Sequence, residues 1–171
     1  MVTGNDVKWG IAIPQIFPEG PMDVPLIGQF VTRAEALGYH SLWVQELLQE
    51  NEPSIEPLAL LGYAAAFSKR LFMGTSVLLS IFRNPVHLAK TLATIDHLLG
   101  GRLIVGVGLG ADPAQYPAFG LPPKRRVRQF VEGLHVMKDL WTQPEARFEG
   151  DFWRLGGIAM KPKPLRLPHP P

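Results

Sequence analysis

One stretch, residues 71–110 (LFMGTSVLLSIFRNPVHLAKTLATIDHLLGGRLIVGVGLG), limits the folds open to this chain more than any other. Residues 71–79 are apolar and β-branched without a charge, the pattern of a strand covered on both faces. Asn84 then offers an N-cap oxygen, and Pro85 takes a first-turn position where a missing N–H costs nothing. Gly100 and Gly101 suit the left-handed end of the helix that follows. Residues 104–108 make the next strand, so the stretch is predicted to be a strand–helix–strand unit with parallel strands.

The same unit recurs along the chain. Residues 9–13 form a first strand ended by Pro14, and Asp23 caps a helix that runs to Leu37 and stops at Gly38. Residues 41–44 form the second strand, 57–67 an apolar helix, 71–79 the third strand and 102–108 the fourth. Strand starts lie about 30 residues apart, the length of one βα unit. Four such units with no hairpin between them predict a parallel α/β sheet. Residues 111–123 hold four prolines and read as a long loop, and 124–141 as a helix with Phe130, Leu134, Met137 and Leu140 or Trp141 on one face. Residues 147–155 alternate around Gly150-Asp151 as a small hairpin, and the tail KPKPLRLPHPP suits neither helix nor central strand.

Composition narrows the function classes. A hydrophobic content of 46% over 171 residues allows one substantial core. No apolar run of about 18 residues exists, and the N-terminus lacks a basic-then-apolar leader, so a cytoplasmic protein without membrane contact is expected. With no cysteine, disulfides and thiolate metal sites are excluded. A net charge of +2 gives little reason to expect nucleic acid, and the basic cluster at 124–128 lacks interleaved aromatics. The five histidines show no metal-ligand spacing with carboxylates. Asp96 and Arg102 flank the Gly100-Gly101 turn and are expected to tie helix to strand.

GYHSLWVQE, RNPVHLAKTLATIDHLLGGRLIVGVGLG, FEGDFWRL and KPKPLRLPHPP, in this order and spacing, resemble landmarks of the bacterial-luciferase-like family of flavin- or deazaflavin-dependent oxidoreductases. The resemblance covers residues 9–171. It implies a parallel (β/α)8 barrel of TIM type, with FMN or coenzyme F420 at the C-terminal ends of the strands. Residues 1–171 would then be one domain, the first four βα units of the barrel plus a small hairpin, lacking the C-terminal half. Inward side chains would lack their opposite wall and two sheet edges would stay unpaired. A chain of this length alone is therefore expected to be unstable, to associate with itself or a complementing half-barrel, or to come from a broken reading frame.

Residues just past each barrel strand converge on the ligand site. After the first strand stands Gln15, a hydrogen-bond partner for a cofactor ring or else a polar turn residue. After the second stand Glu46 and Leu47, where the resemblance implies an acid followed by a histidine near the reacting ring atom. Leu47 cannot transfer a proton, which leaves Glu46 as the candidate catalytic acid, with a structural pairing role as its alternative. Towards the end of the third strand, Thr75, Ser76 and Val77 are candidate cofactor contacts. Here the resemblance implies a non-prolyl cis peptide at Ser76-Val77, bulging behind the ring, where the plain reading is an ordinary strand pair. At the end of the fourth, Gly106, Gly108 and Gly110 would let a planar ring approach the backbone, or are plain loop glycines. Gly106, Gly108 and Ala111 also match a dinucleotide fingerprint in form, but Pro113 and Pro117 break the helix that it requires.

Two functions are thus expected of the chain: an oxidoreductase or monooxygenase acting on a small organic substrate, or a non-catalytic flavin-binding half-barrel or inactive remnant.

Overall fold

The computed structural model describes residues 7–18, 20–47, 53–110, 113–121 and 124–171. Strands β1 (Gly10–Ala12), β2 (Ser41–Val44), β3 (Phe72–Leu78) and β4 (Leu103–Val107) form one sheet in chain order. All three pairings are parallel, with Ile11, Leu42, Met73 and Leu103 side by side in one row. Helices α1 (Val24–Ala36), α2 (Pro57–Ala64), α3 (Pro85–Leu98) and α4 (Arg126–Thr142) follow the four strands.

The caps explain where the first three helices begin. Asp23 accepts from Leu26 N–H at 3.0 Å, and Asn84 accepts from Val86 and His87 N–H at 3.0 and 3.2 Å. Glu56 caps α2 by accepting from Ala59 N–H at 2.6 Å. Each helix carries a proline in its first two positions. Helix α3 ends as expected: Gly100 and Gly101 have φ of 61° and 82°, and Gly101 N–H returns to Asp96 O at 2.8 Å.

One face of the sheet is sealed by the helices. Leu42, Met73 and Leu103 are fully buried against residues such as Val31, Leu61 and Leu92. Asp96, buried on α3, accepts from Leu103 N–H at 3.4 Å and from Leu165 and Arg166 N–H at 2.8 and 3.1 Å. It thereby ties helix, strand and tail together, while Arg102 Nε donates to Leu71 O at 3.1 Å. The tail ends against the sheet edge, where Val105 N–H of β4 donates to Pro171 O at 2.8 Å.

Strands β5 (Ala146–Glu149) and β6 (Arg154–Ile158) form the expected antiparallel hairpin. Most element ends fall within about a residue of the sequence reading, the hairpin extends to Ile158 instead of residue 155, and three places differ for an identifiable reason. Helix α2 stops at Ala64, and residues 65–67 finish as a 3-10 turn. Helix α4 starts at Arg126 instead of residue 124, because Arg125 is left-handed at φ 64°. Residues 113–119 are a 3-10 helix inside the expected loop. Its tighter ladder tolerates Pro117, and it is pinned by fully buried Tyr116, whose hydroxyl donates to Leu109 O at 2.8 Å. Ala111, Pro122 and Pro123 lie outside the described residues, so the fingerprint glycines are described without their third member.

Candidate active site

The other sheet face is open, and its C-terminal end carries the residues singled out from the sequence. Ala12, Trp43, Gly74 and Ile104 share one row across the four strands. Glycine is required beside Trp43: a Cβ at Gly74 would stand 2.9 Å from Trp43 Cζ3, and one at Gly10 only 2.5 Å from Trp43 Nε1. The indole lies across its neighbours and donates from Nε1 to Ser41 Oγ at 3.0 Å.

Beyond this row β3 bulges. Thr75 pairs with Val105 and Leu78 with Val107, so Ser76 and Val77 together oppose Gly106. The Ser76-Val77 peptide is cis. Hydrogen bonds hold the bulge on both sides: Glu46 N–H donates to Val77 O at 3.2 Å, Thr75 Oγ1 to Gly106 O at 2.7 Å, and Gly108 N–H to Leu78 O at 2.9 Å. The bulge also accounts for two glycines. A Cβ at Gly106 would collide with Thr75 O, and one at Gly108 would stand 2.8 Å from Val77 Cγ2. The space that these glycines free is taken by the chain's own bulge. Gly110, at φ 79°, packs away from it against Leu79 and Phe82.

Gln15 is buried, and its amide is fully engaged. Nε2 donates to Gln45 O at 2.7 Å and to Ile55 O at 2.6 Å, while Oε1 accepts from Gln45 N–H at 3.0 Å. The side chain extends the β1–β2 pairing past the end of the strands. Ile55 N–H donates to Gln15 O at 3.0 Å and Phe17 N–H to Pro53 O at 3.0 Å, so residues 53–55 run beside the first loop.

Glu46 turns away from the open face. Oε2 accepts from Leu79 N–H at 2.7 Å, and Oε1 pairs with Arg83 Nη2. The same Nη2 reaches Glu56 Oε1 at 2.7 Å, so one guanidinium joins the second-strand loop to the start of α2. Burial alone would lower the Arg83 pKa, but the Glu46 and Glu56 carboxylates outweigh it and raise it above the usual arginine value. Leu47, next in the chain, is half-buried.

The structure therefore separates the sequence candidates into groups. Gln15 and Ser76, with Ala12, Ile16, Trp43 and Gln45, line an open cleft of about 480 Å³ at the ends of β1–β3. Thr75, Val77, Gly106 and Gly108 form the bulge behind it, Glu46 sits on Arg83, and Gly110 stands apart. Trp43 and Arg83 are the candidate-site residues that the sequence reading passed over. Gly74, in register with Trp43 on β3, and Gly10, two residues before its β1 partner Ala12, were the available signal for the indole. Arg83 had none, since its partners come from 27 and 37 residues away.

The cleft has the size of a small-molecule site. Its lining holds no charged side chain among the described residues, only an apolar wall, backbone, the Ser76 hydroxyl and the amides of Gln15 and Gln45, the first of them already engaged. That set fits the flat, uncharged part of a redox ring and not a phosphate end.

A family model described as luciferase-like monooxygenase matches residues 14–171. The chain belongs to this family. Within the luciferase-like family it is 34% identical over 148 residues to the F420-dependent glucose-6-phosphate dehydrogenase of Amycolatopsis mediterranei (strain U-32), covering 80% of this chain and 42% of that relative. It is 41% identical over 90 residues to the FMNH2-dependent dimethylsulfone monooxygenase of Pseudomonas putida, covering 51% of this chain and 25% of the relative. The solved monooxygenase RslO1 from Streptomyces bottropensis superposes with a TM-score of 0.82 at 30% identity, over 96% of this chain and 52% of that one. The chain thus spans about half the length, or less, of the luciferase-like proteins that it matches. Its parallel four-stranded sheet is accordingly part of a barrel of TIM type. No helix among the described residues is long and apolar enough to cross a membrane.

Proposed function

We propose that residues 1–171 form the N-terminal half-barrel of a cytoplasmic, flavin- or deazaflavin-dependent oxidoreductase or monooxygenase acting on a small organic substrate. The observation that carries this reading is the uncharged cleft of about 480 Å³ at the C-terminal ends of β1–β3, backed by the β3 bulge. FMN or F420 bound there would supply the two-electron chemistry, as hydride transfer or, for reduced FMN, through oxygen.

This chain's residues orient the ring and exclude water from one side of it. Trp43, Ala12 and Ile16 give an apolar wall, Ser76 offers a hydroxyl at the rim, and Thr75 and Val77 set the height of the bulge under the ring. Gln15 holds the first two strand ends in place, because both of its amide hydrogens are already donated. Gly106 and Gly108 contribute by letting the bulge sit close. Glu46 acts by fixing Leu79 and Arg83, and Gly110 shapes the outer turn. The named relatives divide between an F420-dependent and an FMNH2-dependent enzyme, and that division supports both cofactors for this chain.

Leu47 favours a second reading. An apolar residue at that rim position brings no proton-transfer group, as suits a flavin-binding half-barrel without catalysis that is completed by a second copy or a complementing half. Equilibrium dialysis of the purified chain against FMN and against F420, read by visible absorbance, tests the cofactor reading. Saturable retention of either is expected, and retention of neither would defeat it for this chain.

A further inference from the structure

Behind the rim, where α3, α4 and the hairpin meet, lies a small, partly enclosed cavity of about 10 Å³. Arg83, Gln129 and Trp153 all border it. Each contributes one buried polar atom without a hydrogen-bond partner among the described residues: Arg83 Nε, Gln129 Oε1 and Trp153 Nε1. Most of the remaining wall is apolar, from residues such as Ile81, Leu88 and Met137. Buried polar groups in folded proteins are almost always satisfied, and here three residues that line the same space each carry an unsatisfied one.

We propose that one buried water molecule occupies this cavity and bridges the three side chains. The cavity is close to the roughly 10–15 Å³ that a single water needs, and a buried water typically makes about three hydrogen bonds. The donor and acceptor set also matches. Water accepts from Arg83 Nε–H and from Trp153 Nε1–H, and donates to Gln129 Oε1, so that all three atoms are satisfied. A bound cation is excluded by the adjoining guanidinium, and an anion would meet the lone pairs of Gln129 Oε1. The bridge completes Arg83, whose Nη2 already serves Glu46 and Glu56 at the rim. It thereby links the second-strand loop to α4 and to the hairpin, through a residue of the FEGDFWRL segment.

A high-resolution crystal structure of the full chain, with water–indole cross-relaxation by NMR, tests the proposal. The expected result is one isolated density peak within hydrogen-bond distance of all three atoms. The Trp153 indole N–H should also show a cross-peak to slowly exchanging water, an assignment made by its disappearance in Trp153→Phe. A dry cavity, a direct hydrogen bond between two of the three side chains, or an anomalous signal marking chloride would each overturn it. Should Trp153→Phe fail to fold, the density and the wild-type cross-peak still decide the matter.

Discussion

Arg83 grips Glu46 through its Nη2 while only 1% of the Glu46 side chain stays exposed. The carboxylate has a second duty, accepting from Leu79 N–H just past the β3 bulge. Removing one partner of a buried pair costs about 3–5 kcal/mol when the other charge is left alone, but Arg83 is 26% exposed and keeps Glu56 at 2.7 Å. Glu46→Ala should therefore lower stability by only about 1–2 kcal/mol in urea unfolding, chiefly through the Leu79 N–H that it leaves unpaired. Glu46→Gln should cost less, since its amide oxygen can still accept from Leu79 N–H. An unchanged midpoint in Glu46→Ala would show that the pair does not brace the rim.

Glu132 on α4 does for the hairpin what Glu46 does for the rim. Burial raises its pKa, but N–H groups of Phe152 at 2.9 Å and Asp151 at 3.2 Å, then Arg128, outweigh burial and hold it below the ordinary 4.5. A folded pKa below the unfolded one stabilises the protein above about pH 4.5, and that stability is lost as pH falls through the folded value. Urea midpoints between pH 7 and pH 3 should fall in acid, and less steeply in Glu132→Gln. Identical slopes would remove Glu132 from the account.

Gly106 in β4 and Gly108 just past its end should respond unequally to alanine. At Gly106 the added Cβ meets the Thr75 backbone oxygen, which cannot move without unmaking the bulge. At Gly108 it meets Val77 Cγ2 at 2.8 Å, the tip of a side chain that is 41% exposed. Overpacking of this kind costs about 1–3 kcal/mol. Gly106→Ala should fall at the upper end, and the cost of Gly108→Ala should shrink in a Val77→Ala background. A double-mutant cycle with no coupling would contradict the contact.

Gly150 tests why the hairpin turn carries glycine. A Cβ there would stand 2.8 Å from Glu132 Cδ and 2.7 Å from Phe148 Cε1. Gly150→Ala should lower the thermal midpoint by several degrees, and Glu132→Ala should relieve part of that loss in the double variant.

The strands and helices were legible because this chain punctuates them locally. Asn84-Pro85, Gly38 and Gly100-Gly101 fix ends by their own backbone chemistry, without tertiary help. Residues 113–119 were misread as loop because their order depends on Tyr116 reaching Leu109 O and packing 5.0 Å from Phe82. The site was harder still. Glu46 reads as a free acid until Arg83 is placed beside it, and Gln15 as a free amide until Gln45 and Ile55 are. Polar side chains at strand ends carry no sequence mark that says whether backbone or ligand will take their hydrogen bonds.

The cleft beside Trp43 is the proposed seat of the flat ring. The most direct measurement is quenching of tryptophan fluorescence during titration with FMN and with F420, for the wild type and for Ala12→Phe, which fills the cleft from the neighbouring strand. Saturable quenching is expected in the wild type with at least one of the two, and its loss in a folded Ala12→Phe. Equal quenching in both proteins, or none in either, would contradict it.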